Sequence, residues 1–386
     1  MSSNNQEFNQ FNSFELEIDY LVKRNFKIRG FELLDNLTFI NYGNFLLSDW
    51  NQKLESLYRH FVNGIELALN FKCSDKFSTW QEKSFVLENT IRLQIDEIKS
   101  ESVGLLFSGG RDSCLLAKLL IEGGKEVTAY HVTPFIHSRA KQIIHRHEIK
   151  KMSDLIGIHN LELVEFGAKP SEHIRTFHGM PFAQPASVGL SALFRRSSLP
   201  NQKIICFAQG ADTLSNVMHT QLNFYNKSDS NNLIQVIQII LKMYTKTWPK
   251  TIRVVALLQL AKILAKSFSS IKKLTIYEVQ NISRIVGMYL VHTPFDSQFV
   301  YQVAKNMNQK VFNPFHSFEV ANLYFIPVVE EVVVTESKKI EIDFMLERLG
   351  IHNLNFSVFG FNTAFVDENL EICNVKTFRR QLLDFL

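Results

Sequence analysis

The stretch Val103–Leu120, VGLLFSGGRDSCLLAKLL, leaves this chain few ways to fold. An apolar run from Val103 to Phe107 meets a turn of small residues, Ser108-Gly109-Gly110. A helix start at Asp112-Ser113 then opens an apolar-periodic segment. A buried strand that turns through glycines into a helix leaves several backbone N–H groups without intrahelical acceptors, all directed at one spot. That spot also feels the positive end of the helix dipole, so phosphate or pyrophosphate is its natural occupant. The glycines let the chain turn tightly and let an anion approach the backbone. The plainer alternative is a glycine turn with a Ser/Asp cap and no ligand.

The surrounding chain alternates in the same way. Phe85 to Ile98 places Leu87, Ile91, Ile95 and Ile98 at helical spacing, ahead of the motif. After the motif helix come a strand (Val127 to Val132), a basic helix (about Ser138 to Leu155) and a strand (Leu161 to Phe166). A helix (about Ala186 to Arg196) then precedes a strand from Lys203 to Ala208, which ends in Gln209-Gly210-Ala211-Asp212. This spacing predicts right-handed parallel crossovers, hence an α/β fold with a doubly wound parallel sheet. Ligands of such sheets sit at the carboxyl ends of the strands, so loops 108–113 and 209–213 should face one pocket.

Outside this block, Phe26 to Leu47 fits short antiparallel strands, and Trp50 to Leu69 changes to a helical period. Helices are expected at Leu233 to Met243, Val254 to Phe268, Ile276 to Val286 and Phe299 to Met307. Beyond Phe312 the pattern weakens: IPVVEEVVV reads as strand or edge, Lys338 to Leu349 as a short helix, and Lys376 to Phe385 as amphipathic and basic.

Composition narrows the class. Hydrophobic residues make up 46% and charged residues 21%, ordinary for a globular chain. A net charge of +4 suits an anionic small molecule better than it suits a dedicated nucleic-acid binder. The four cysteines (Cys73, Cys114, Cys206, Cys373) form no CxxC pair, and Cys114 and Cys206 sit in core-like runs, which implies reduced, buried thiols. The N-terminal MSSNNQEFNQFNSFE has no secretory pattern, and the longer apolar segments are short or broken by Lys262 and Lys266. A cytoplasmic protein is expected.

FSGGRDS resembles the SGGxDS signature of the PP-loop (N-type) ATP pyrophosphatases. No GK[ST] follows, so the loop is not of the Walker A type. QGADTL resembles the second loop of that superfamily, and VHTPFDSQFV (Val291 to Val300) resembles the VPFLD stretch of asparagine and β-lactam synthetases. The resemblance runs from about Leu87 to Val303.

It implies ATP and Mg2+ as cofactors. Ser108, Gly109, Gly110, Arg111, Asp112 and Ser113 would take the pyrophosphate, with Gln209 and Gly210 alongside. Leu106, Phe107, Val132 and Thr133 would lie against adenine, and Asp112 and Asp212 would share Mg2+, a hard cation that takes carboxylate and phosphate oxygens. The implied organisation is a small N-terminal α+β unit (1–82), a PP-loop ATP-binding domain (83–225), a helical part of the synthetase domain (226–310) and a C-terminal segment (311–386).

The implied activity is an AMP- and pyrophosphate-forming ligase that adenylates a carboxylate, or an amide-type carbonyl, and transfers it to an amine or ammonia. Its partners would be a small-molecule or peptide carboxylate and an amine or ammonia donor, which a separate glutaminase chain could supply. A homo-oligomer is compatible with this.

The chain departs from the family in carrying Gln209 and Thr213 where the family has acidic residues, and Ser2 where the family's glutaminase has cysteine, so no glutaminase is expected. For the family's catalytic lysine, Lys305, Lys338, Lys339 and Lys376 are all candidates; Lys339 is the one taken forward. GADTLSNVMHT also resembles the second loop of tRNA 4-thiouridine synthetases, which leaves nucleobase adenylation open, although no CxxC pair or tRNA-binding module accompanies it. A degenerate ATP-binding scaffold is a third alternative. His145-x-His147 invites a metal reading, but residues two apart on a helix face different ways, so hydrogen-bonded or solvated histidines are expected.

Overall fold

The computed structural model describes residues 76–133, 139–165, 185–215, 284, 297–326, 328 and 340–352. The chain divides into two units, Met1–Leu67 with Ser228–Tyr289 and Ala68–Lys227 with Leu290–Leu386. Every element below belongs to the second. The strands and helix expected over 26–69, the helices expected over 233–286 (apart from Arg284, which is helical) and the terminal 376–385 segment lie outside the described residues.

Helix α1 (Trp80–Asp96) begins earlier than its apolar period suggests, because Thr79 caps it. Thr79 Oγ1 accepts from the Glu82 N–H at 3.1 Å, and the Glu82 carboxylate accepts from the Ser78 N–H at 2.7 Å. One amide that the helix start leaves orphaned, that of Glu82, is thereby satisfied, and the Glu82 carboxylate ties down the residue before the cap. The chain then runs β1 (Ser102–Leu106), α2 (Arg111–Glu122), β2 (Glu126–Thr133), α3 (Arg139–Ile156), β3 (Asn160–Glu165) and α4 (Pro185–Arg196). It continues through β4 (Ile204–Cys206) and the short α5 (Ala211–Leu214). After residues 216–296 come α6 (Gln298–Asn306), β5 (Lys310–Phe312), α7 (Phe318–Phe325) and α8 (Ile340–Arg348).

The five strands form one parallel sheet in the order β3-β2-β1-β4-β5. Strand order reverses between β1 and β4, which is where open sheets of this kind leave a crevice. The expected α/β parallel fold is therefore present. β5 was not anticipated, and neither was α7. Of IPVVEEVVV, only Val328 is described beyond Ile326, and it makes a single parallel bridge to Phe77.

Alternation along the strands sends side chains to both faces, and both are covered. Leu106, Tyr130, Val132, Val164, Ile205 and Phe207 pack with Leu193 and Phe194 of α4 and Val300 and Ala304 of α6. The alternate residues Val103, Leu105, Ala129, Ile204 and Cys206 are buried as well. Double burial is why β1 and β4 read as nearly unbroken apolar runs.

A buried lysine fastens α1 to α7 and α8. Lys83 Nζ donates to the carbonyls of Tyr324 (3.0 Å) and Ile326 (2.8 Å) and lies 3.6 Å from Glu341 Oε1. It thereby supplies donors to carbonyls at the end of α7, where the helix has none of its own. Among the described residues, no helix is long and apolar enough to cross a membrane.

Candidate functional site

β1 delivers the chain to the Ser108–Ser113 turn under tight constraint. Phe107 is fully buried, and its N–H still pairs with the Tyr130 carbonyl at 2.9 Å. Gly109 then adopts φ +76°, a conformation that side-chain-bearing residues rarely hold, and a Cβ there would meet Ile149 Cδ1 at 2.6 Å. Gly110 caps α2. Three short bonds hold the turn: the Gly110 N–H donates to Ser108 Oγ (3.2 Å), Ser108 and Ser113 hydroxyls pair at 3.0 Å, and Ser113 Oγ donates to the Gly110 carbonyl (3.0 Å). The first helical bond runs from the Cys114 N–H to Gly110 (3.0 Å). The amides of Arg111, Asp112 and Ser113 precede it, at the positive end of the helix.

Asp112 stands half-buried in that first turn, with Oδ1 shielded from solvent. Burial, with a further contribution from the Asp112 charge, pushes the Cys114 thiol far up. Arg111, expected beside the phosphate, has its Nε 3.3 Å from Asp343 Oδ1 on α8.

Behind the turn lies a histidine pair. His131 Nδ1 is 2.8 Å from the Phe107 carbonyl, and His131 Nε2 is 2.9 Å from His145 Nε2. His145 is buried while His147 is exposed, so the two residues of the His145-x-His147 spacing do face different ways. At the end of β2, Val132 and Thr133 are buried, and Thr133 Oγ1 has no hydrogen-bond partner among the described residues.

The second loop leaves the strand next to β1. Gly104 pairs with Ile205 and Leu105 with Cys206, so the chain emerges from β1 and β4 side by side at one edge. Gly210 takes φ +97° and caps α5, placing Asp212 exposed in its first turn, while Thr213 is buried. Gln209, half-buried, accepts twice: its carbonyl from Asn313 Nδ2 (2.9 Å) and its Oε1 from Ser297 Oγ (3.0 Å). Ser297 lies 3.5 Å from His316 Nε2, and His316 Nδ1 lies 2.9 Å from Tyr301 OH. Phe207 packs edge-on against both rings. Burial pushes the Tyr301 phenol far up.

Of the residues singled out in the sequence, 106–113, 132–133, 209–210 and 212 all occupy the carboxyl edge of β1, β2 and β4. Asp112 and Asp212 arrive on loops from adjacent strands, and two carboxylate oxygens with phosphate and water are a donor set that suits Mg2+. No group of three or more His, Cys, Asp or Glu that could hold a metal occurs among the described residues. Lys339 lies outside them, as do Lys338 and Lys376; Lys305 is exposed on α6. Sequence reasoning missed the His131–His145 pair and the roles of Ser297, Tyr301, Asn313 and His316. Ser297 stood in the segment VHTPFDSQFV and Tyr301 in the helix expected from Phe299 to Met307, but neither was marked as a site residue.

No family model and no curated protein matches the chain. Among solved structures, the U34-tRNA thiolase NcsA from Methanococcus maripaludis, determined with its 4Fe-4S cluster, is similar over 59% of this chain and 80% of its own, at 14% identity and a TM-score of 0.26. So loose a superposition carries no argument about this chain's chemistry.

Proposed function

We propose that the crevice between β1 and β4 binds ATP and transfers its adenylate to a carbonyl-type oxygen of a second substrate, releasing pyrophosphate. The observation that carries this reading is the Ser108–Ser113 turn. Its Gly109 has the backbone of a turn closed to side chains, it opens α2, and it borders the Gln209–Asp212 loop.

In this reading the α2 amides and the Ser108 and Ser113 hydroxyls take the pyrophosphate moiety. Leu106, Phe107, Val132 and Thr133 border the adenine. The substrate oxygen attacks the α-phosphorus, the bond between α-phosphorus and bridging oxygen breaks, and pyrophosphate leaves with the electron pair. Donors already fixed in place stabilise that charge without reorganising. Asp112 and Asp212 would hold Mg2+, which when bound neutralises charge on the phosphates.

The finer reading is a ligase. The substrate is then a carboxylate, an amine or ammonia attacks the acyl carbon, AMP leaves, and the amine's proton passes to a base, for which Lys339 is our candidate. The contact of Ser297 with Gln209 supports it, because it joins the VPFLD-like segment to the second loop. The second reading is nucleobase adenylation for tRNA thiolation, supported by the resemblance of GADTLSNVMHT to tRNA thiouridine synthetases.

The test is Mg2+-dependent pyrophosphate release from ATP with panels of carboxylates and amines and, separately, with tRNA. Pyrophosphate and AMP, lost in Asp112→Asn, are expected. ADP with phosphate, or ATP binding without turnover under any mixture, sinks the proposal. Turnover that depends on tRNA, with a steep salt dependence, selects the second reading.

A further inference from the structure

We infer that Gln209 is a substrate-contacting residue whose side-chain amide nitrogen donates to an oxygen of the pyrophosphate moiety seated on the Ser108–Ser113 turn. The inference rests on the reading of this crevice as an adenylation site. It goes beyond that reading in giving the Gln209 side chain a stated contact; the family resemblance sets this residue alongside the pyrophosphate and marks it as a departure from an acidic position.

The hydrogen-bonded series begins at Tyr301. Its phenol keeps its proton, and we assign that O–H as the donor to His316 Nδ1, 2.9 Å away. With Nδ1 accepting, the neutral His316 carries its own proton on Nε2, which faces Ser297 Oγ at 3.5 Å. Ser297 is fully buried, so no bulk water competes for its hydroxyl, and that hydroxyl donates onward to Gln209 Oε1 at 3.0 Å. Donation thus runs one way, Tyr301 to His316 to Ser297 to Gln209. It ends on the carbonyl half of the Gln209 amide. Asn313 Nδ2 fixes the same residue's backbone carbonyl from the β5 side.

What remains of the Gln209 side chain is its NH2 group, on a residue that keeps partial exposure at the carboxyl edge of β4, next to the strand that leads into the Ser108–Ser113 turn. Glutamate could accept from Ser297 equally well. It would, however, set a second anionic oxygen where glutamine sets two N–H donors. Beside a polyanion the first repels and the second attracts.

The experiment is calorimetric titration of the full-length protein with inorganic pyrophosphate and Mg2+, with thermal unfolding recorded for each variant. Gln209→Glu should bind at least about a hundredfold more weakly, and Gln209→Ala about ten- to a hundredfold, in the range of one hydrogen bond to a charged group. Ser297→Ala, which leaves Gln209 present but releases its amide, should weaken binding about threefold.

A second readout is the side-chain amide proton pair of Gln209 in an isotope-labelled sample, assigned by its disappearance in Gln209→Ala. It should move downfield when pyrophosphate is added. If Gln209→Glu binds as tightly as the wild type, or the resonance stays still while pyrophosphate binds, the inference is overturned and the adenylation site stands. If the wild type binds neither pyrophosphate nor ATP, the adenylation reading falls and takes the inference with it. Should Gln209→Glu fail to fold, the alanine variant and the resonance decide the matter.

Discussion

His145 Nε2 stands 2.9 Å from His131 Nε2, whose ring is anchored through Nδ1 to the Phe107 carbonyl at 2.8 Å. A carbonyl can only accept, so His131 carries its proton on Nδ1 and its Nε2 accepts from His145. The pair is therefore a neutral chain that ends on the residue just before the Ser108 turn. Burial pushes His131 down to about 4, with the neighbouring His145 adding to the effect and the Phe107 hydrogen bond opposing it. His145 is lowered too, again by burial, with Glu148 opposing.

A lowered histidine means that the unfolded chain binds more protons than the folded one below the ordinary histidine range. The associated stability is complete above about pH 6.5 and is lost as pH falls toward about 4. The loss should reach on the order of 3 kcal/mol. Thermal unfolding between about pH 7 and about pH 5 should show a falling Tm, and His131→Asn should flatten that slope. A Tm that ignores pH across this window contradicts the assignment.

Asp112 and Asp212 should be needed for turnover and not for folding. Asn at either position should slow pyrophosphate release at least about a hundredfold, the scale on which charge stabilisation at a leaving group operates. Asp112→Asn should also cost about 0.3–1 kcal/mol through the start of α2, whereas the exposed Asp212 should cost less. Rates and urea unfolding midpoints measured on the same samples separate the two effects.

Gly109→Ala should damage the turn through its backbone. The contact with Ile149 Cδ1 is with the far end of a side chain and can relax, but φ +76° cannot be relieved without opening the turn. A loss of about 1–2 kcal/mol in stability is expected, with a larger proportional loss in ATP affinity. Binding unchanged by this substitution would show that the turn does not contact the nucleotide.

Lys83 and Glu341 are both almost wholly buried. Lys83→Met leaves that carboxylate and the Tyr324 and Ile326 carbonyls without their donor, and should cost about 3–5 kcal/mol. Adding Glu341→Gln should recover part of the loss, which a double-mutant cycle by chemical denaturation would measure.

The strands β1 and β4 were legible because burial on both faces writes a nearly uninterrupted apolar run, β2 because Val127, Ala129, Tyr130 and Val132 still dominate it, and the glycines after β1 and β4 marked where the chain leaves the sheet. β5 was not. Lys310–Phe312 is three residues long and becomes a strand only by pairing with β4. Lys83 reads as a surface lysine on its own helix; its partners lie more than two hundred positions away. The histidines were legible in part: His145 and His147 face different ways, one hydrogen-bonded and one exposed, as expected, but nothing in the sequence ties His145 to His131 on another element. Ser297 and Asn313 cannot be tied to Gln209 until β5 brings them beside it.

The β4–β5 pairing also sets an order of assembly. Ser102 and Glu126, paired across β1 and β2, are close in the chain, but Cys206 and Phe312, paired across β4 and β5, are 106 positions apart. Closing a long loop for a three-residue ladder costs chain entropy that few contacts return, so this seam should be among the last to form. A refolding chain would then own the Ser108–Ser113 turn before it owns the wall that holds Gln209, and under the proposed function added pyrophosphate would meet a half-built site.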